Sequence, residues 1–172
     1  FGLLDTSVEK AYLQTVNHKK QLVNSKMVWK PNVTVAAIIE QDGRFLLVEE
    51  NTSQGVKLNQ PAGHLEPGET LVEAIKREVL EETAFTFEPK FATGIQLWTR
   101  APDDPTFLRI TFSGTVGQFH QERELDSGII KTIWLTPKEI ENASQKLRSP
   151  LVLSCVTDYL NGHVFPLSII RP

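Results

Sequence analysis

The stretch Gly63-His64-Leu65-Glu66-Pro67-Gly68-Glu69-Thr70, continued by Leu71 to Phe87, constrains this chain more than any other. Pro67-Gly68 is a turn signal. From Thr70 to Thr83 there is no Gly or Pro, and Leu, Glu, Ala, Lys and Arg predominate; all are good helix formers. On a helical wheel Leu71, Val72, Ile75 and Val79 gather on one side, which predicts a core-facing stripe. Glu81 and Glu82 lie three and four residues beyond Glu78, so the three carboxylates share another helical surface.

Like charges at that spacing cost an isolated helix about 0.2–0.5 kcal/mol per pair. A solvated acidic face is the ordinary explanation of a glutamate-rich helix. Here, however, the cluster follows a Gly-containing turn and has a lone Arg77 beside it. Grouped carboxylate oxygens are what hard divalent cations such as Mg²⁺ prefer. Without a cation the cluster costs stability; with one it becomes a site.

Gly63, Glu69, Arg77, Glu78, Glu81 and Glu82, with Val79 and Phe85, follow the spacing G-x5-E-x7-R-E-U-x-E-E-x-G-U, where U is a bulky aliphatic or aromatic residue. At residue frequencies of roughly 5–7% each, six such matches arise by chance about once in ten million start positions or less. The chain thereby resembles the Nudix hydrolases. One letter departs: Ala84 stands where the pattern has glycine. A left-handed residue there costs a side chain about 1–2 kcal/mol, so either Ala84 bears that strain or the helix exits by another route. The position supplies no ligand, and activity is expected to survive.

The resemblance implies an α/β/α sandwich with a mixed β-sheet, and metal-assisted attack of water on a diphosphate, with Mg²⁺ as cofactor and Mn²⁺ as substitute. By motif position it implies Glu78 and Glu82 as the main metal ligands, Glu81 as a third, and the Gly63 carbonyl close to the metal. Glu78, Glu81, Glu82 and Arg77 form the catalytic group, within which Arg77 is expected to pair with Glu69 and pin the loop to the helix. The base that activates water is either Glu78 or Glu81, or an acid from a loop outside the motif, where Glu122, Glu124 and Asp126 are available.

Substrate contacts are expected from Arg109, Gln60, Trp98, Trp29 and His64, in or beside the strands flanking the motif. Aromatic rings stack on heterocycles, and arginine binds phosphate bidentately. For Trp98 and Trp29 a place in the core is an equal alternative, and for His64 a place on the surface. Arg109 interrupts the otherwise apolar Phe107-Leu108-Ile110 and is the stronger candidate.

The stretches Lys30 to Ala36, Leu58 to Glu66, Phe107 to Arg109 and Leu147 to Val152 resemble one bacterial phosphatase branch of the family. That implies action on thiamine-type pyrophosphates and nucleoside di- and triphosphates, with release of orthophosphate. Two rivals stand beside it. One is a pyrophosphohydrolase that releases pyrophosphate or cleaves nucleotide sugars or dinucleoside polyphosphates. The other is a catalytically inactive binding module, against which the intact glutamates argue.

The rest of the chain is consistent with a single soluble α/β domain behind a short extension. Its 172 residues suffice for a full core, and a net charge of −3 without a basic run argues against a nucleic-acid surface. No stretch approaches 18 apolar residues, so a membrane span is not expected. The lone Cys155 sits in an apolar run and reads as a buried small hydrophobe; a reducing cytoplasm is the expected compartment. A monomer or homodimer acting on a small molecule is anticipated.

Residues 1–26, with a Thr6-x-x-Glu9 capping box, predict one weakly amphipathic helix, either outside the catalytic unit or docked on it or on a partner; residues 27–172 are expected to form the catalytic domain. Val33 to Ile39 predicts a central strand buried on both faces, joined through an Asp42-Gly43 hairpin to Arg44–Val48, with a loop from Asn51 to Gly55. Further strands are expected over Phe91–Arg100, Phe107–Val116 and Ile129–Leu135. Short helices open at Thr136-Pro137 and, after Ser149-Pro150, over Leu151–Leu160.

Overall fold

The computed structural model describes residues 29–171; the helix and domain boundary expected at residues 1–26 lie outside them. Among the described residues the fold is built on β1 (Asn32–Gln41). Val35 to Ile39 are each at most 1% exposed, which is why this run is apolar without alternation. Its odd-numbered residues Val35, Ala37 and Ile39 enter one core cluster, and Ile38 enters the other.

Seven further strands extend the sheet among the described residues: β2 (Arg44–Thr52), β3 (Gly55–Asn59), β4 (Ala62–His64), β5 (Phe85–Thr99), β6 (Thr106–Phe119), β7 (Ile129–Leu135) and β8 (Phe165–Pro166). The order is β3-β2-β1-β6-β5-β8, with β4 paired to β1 and β7 to β2. β1 runs parallel to β6, with Thr34 opposite Arg109, whereas the other pairings are antiparallel. The sheet is therefore mixed.

One face is covered by α1 (Leu71–Thr83), whose Ala74, Ile75 and Val79 pack on Val35, Ala37, Ile39 and Phe112. The other is covered by α2 (Pro137–Asn142) and α3 (Leu151–Leu160), through Ile140, Val152, Cys155 and Val156. Cys155 is 1% exposed, a core residue. No helix among the described residues is long and apolar enough to cross a membrane.

Local chemistry accounts for most boundaries. Asp42 and Gly43 both take positive φ (53° and 74°), the mirror-image turn that matches strand twist. Thr136 caps α2 with a reciprocal Glu139 contact. Two differences from the sequence reading stand out. The segment from Asn51 to Gly55 is mostly strand, since β2 and β3 are joined by Ser53-Gln54 alone. β5 begins at Phe85 rather than Phe91, because Phe85 pairs with Phe119 and the His120 N–H donates to the Ala84 carbonyl at 2.8 Å.

Candidate active site

The site begins with the way α1 is started and stopped. The Thr70 hydroxyl accepts from the Glu73 N–H, and the Glu73 carboxylate accepts from the Thr70 N–H at 2.8 Å, satisfying two helix-end donors. At the other end Ala84 adopts φ 59°, and its N–H donates to the Leu80 carbonyl. Ala84 thus bears the left-handed strain, about 1–2 kcal/mol.

Arg77 ties α1 to the segments before it. Its Nε and Nη2 donate to the two Glu69 carboxylate oxygens at 3.0 and 2.7 Å, and Nη2 also reaches the His64 carbonyl at 3.0 Å. Nη1 donates to Glu78 at 2.8 Å and Glu81 at 3.1 Å. The hydrogen bond to Arg77 holds the Glu69 carboxyl below its usual range. One guanidinium therefore fixes β4, the Glu69 turn and two motif glutamates together.

β4 lies directly against the acids. A Cβ at Gly63 would overlap the Glu78 carboxylate and displace it, so glycine here lets that carboxylate lie directly against β4. The Ala62 N–H donates to Glu82 Oε2 at 2.9 Å. Burial raises the Glu82 pKa to about 8, aided by the negative charges of Glu78, Glu50 and Asp126, while the Ala62 N–H pulls it down. Burial likewise raises that of Glu78, against the pull of Arg77. Glu81 is the most exposed of the three, at 27% of its side chain.

Two more acids join this field. Glu50, at the bulged end of β2, is pushed up by burial against the pull of Arg148, and its Oε1 is buried without a hydrogen-bond partner. Asp126 is anchored by its N–H to the Glu81 carbonyl at 3.0 Å. All three loop acids singled out from the sequence are exposed, and Asp126 is the one whose charge acts on Glu78 and Glu82. Sequence reasoning missed Glu50. Its signal was a paired Glu49-Glu50 closing an apolar strand, where a solvent-facing end is the ordinary meaning.

A divalent cation suits this donor set. All the groups are hard oxygens, their mutual repulsion favours protonation in its absence, and one buried carboxylate oxygen has no partner. Among the described residues no three of them converge as a closed ligand set, since Arg77 engages Glu78 and Glu81 instead.

Beside Gly63 opens a cavity of about 470 Å³, with Glu50, Asn59, His64, Trp98 and Arg109 in its walls. Its rim is accessible: Arg100 and Pro105 are exposed and Trp98 is half-buried. At its floor Asn59, Arg109 and Ser149 are each under 10% exposed. Trp98 and Phe107 face each other across β5 and β6 with ring centroids 6.3 Å apart, and His64 stands 6.2 Å from Phe107.

The sequence-derived substrate residues are thus distributed unevenly. Arg109, Trp98 and His64 line the cavity. Gln60 lies behind it, 1% exposed, accepting from Arg109 Nη2 at 2.7 Å and donating to the Val152 carbonyl at 2.7 Å. Trp29, ahead of β1, is 66% exposed.

Comparison with known proteins agrees with this layout. The family model of the NUDIX domain matches residues 29–153. Phosphatase NudJ of Escherichia coli (strain K12) is 42% identical over 143 residues, 83% of this chain and 92% of that protein. A solved NUDIX hydrolase from Nitrosomonas europaea superposes with a TM-score of 0.81 at 51% identity, covering 83% of this chain and 97% of the other. The MutT protein from Methanosarcina mazei Go1 is more distant, with a TM-score of 0.63 at 25% identity over 78% of this chain and 98% of its own.

Proposed function

The chain belongs to the Nudix hydrolase family, and on that premise we propose that it hydrolyses phosphoanhydride bonds with Mg²⁺ or Mn²⁺, releasing orthophosphate from nucleoside di- and triphosphates and from thiamine-type pyrophosphates. The observation that carries the reading is the junction at β4. There Gly63 and the Ala62 N–H seat the Glu78 and Glu82 carboxylates against the wall of a cavity floored by Arg109. The substrate class rests on the likeness to phosphatase NudJ.

In this reading Glu78 and Glu82 hold the cation, with Glu81 and the Gly63 carbonyl beside them. The cation, once bound, polarises phosphoryl oxygens and acidifies a coordinated water. Arg77 positions: it locks His64, Glu69, Glu78 and Glu81 into one frame. Arg109 binds phosphoryl oxygens, and Gln60 orients its guanidinium. Glu50, half-buried in the cavity wall with Arg148 Nε 3.6 Å away and no hydrogen bond to its Oε1, accepts the proton of the attacking water; its raised pKa brings it closer to the working pH of a general base. The water oxygen bonds to phosphorus, the bond to the bridging oxygen breaks, and its electron pair leaves with the shortened ester. Trp98, with Phe107, faces the organic group at the rim.

The test is ³¹P NMR of a nucleoside triphosphate turning over with Mg²⁺. Orthophosphate and diphosphate should appear together. Pyrophosphate with monophosphate from the first turnovers would overturn the product assignment, and inactivity on every anhydride would overturn the reading as a whole.

A further inference from the structure

Three arginines line the cavity, and two of them are matched. Arg100 donates to Asp104 at 2.6 Å, and Arg148 Nε stands 3.6 Å from Glu50 Oε1. Arg109 is not: it makes no ion pair among the described residues, its only hydrogen-bond partner there is the neutral Gln60, and its Nε is buried without an acceptor. Glu82 and Glu50 act on it through space without bonding to it, and a buried guanidinium with an unfilled donor is costly to keep. At 7% exposure it sits at the closed end of the cavity. Ser149 and Leu151, at the start of α3, complete that end, and the first turn of α3 has no side-chain cap, so its free N–H groups add positive potential.

We propose that this closed end is a stop for the substrate's terminal phosphate, so that the enzyme measures its cleavage point from the phosphate terminus and not from the organic end. The inference rests on the phosphoanhydride reading above and deepens it. The burial gradient sets the orientation. The terminal phosphoryl group enters first and meets Arg109, the next bridging oxygen lies beside Ala62 and Gly63 of β4, on which the Glu78 and Glu82 carboxylates rest, and the organic group remains near Trp98 at the rim. Water attacks the terminal phosphorus, the bond to the bridging oxygen breaks, and its electron pair stays with the shortened ester. The proton goes to Glu50, and orthophosphate is left on Arg109. Tolerance of different organic groups follows, because none of them reaches the floor.

Inorganic phosphate is the probe. It should raise the melting temperature of the wild-type protein in the absence of divalent metal. It should also inhibit turnover competitively, with an inhibition constant that agrees within about twofold between adenosine triphosphate and thiamine pyrophosphate. Adenosine alone should inhibit at least tenfold more weakly than phosphate. Arg109→Met should lose both phosphate effects, and Arg109→Lys, which keeps charge but not the Nε donor, should weaken them at least tenfold. The wild-type measurements stand even if Arg109→Met does not fold. Orthophosphate release without phosphate binding or inhibition would overturn the terminal stop while leaving the phosphatase reading intact. Absence of orthophosphate release would remove the reading itself.

Discussion

The glutamates illustrate how far one residue's chemistry follows from its neighbours. Neutral amides hold a hard cation poorly. Glu78→Gln and Glu82→Gln should therefore each lower kcat by about 10² or more, with circular dichroism showing an intact fold. Glu82 also predicts a pH dependence. Its pKa rises from 4.5 in the unfolded chain to about 8 in the fold, so the fold prefers the protonated acid. That contribution is complete below pH 4.5 and is lost as pH climbs through 8. In EDTA the wild-type melting temperature should accordingly fall between pH 5 and pH 8.5 more steeply than that of Glu82→Gln; equal slopes would contradict the buried acid. Glu78, Glu81 and Glu82 were legible because a fixed spacing on one helix places them together. Glu50 was not, since only the pairing of β2 with β7 turns it inward, and no local pattern encodes that contact.

At the level of elements, α1 depends on its two ends and on one strap. Replacing Ala84 by glycine relieves left-handed strain of about 1–2 kcal/mol, against the lost burial of one methyl group, about 0.8 kcal/mol, and a floppier unfolded chain. The net expectation is a stabilisation of up to about 1 kcal/mol, read as a higher denaturant midpoint with unchanged kcat. Arg77→Ala should act in the opposite direction. It frees β4 and the Glu69 turn while leaving three carboxylates, those of Glu69, Glu78 and Glu81, without their cation, costing about 2–3 kcal/mol and reducing kcat as well; a variant as stable as wild type would show that β4 needs no strap. Helix and hairpin boundaries were readable because caps and turn residues are local: Asp42-Gly43, Thr136-Pro137 and Ser149-Pro150 each mark an end. β4 was not readable. Pro61, Ala62 and Gly63 have little strand propensity, and they form a strand only because β1 offers an open edge at Thr34 to Ala36.

For the molecule as a whole, the alternation of strands and helices was enough to give the layers, but the order of the strands arises from contacts distant in sequence. We expect chelation by excess EDTA to abolish turnover and readdition of Mg²⁺ to restore it. We also expect residues 27–172, produced alone, to melt within a few degrees of the full chain and to release phosphate at a comparable rate; an insoluble or inactive product would make the first 26 residues integral. A final consequence concerns β1, which has a neighbour on each side and a core cluster on each face. The Ala37 N–H bonds to the Pro61 carbonyl on the β4 side, so by alternation the Ala36 and Ile38 amides face β6; these should trade hydrogen for deuterium only when the entire sandwich opens, at a rate that follows global stability. The Ala62–His64 amides, on a three-residue strand held by Arg77, should trade far sooner. The motif glutamates therefore lean on the part of the sheet that breathes, next to the part that does not.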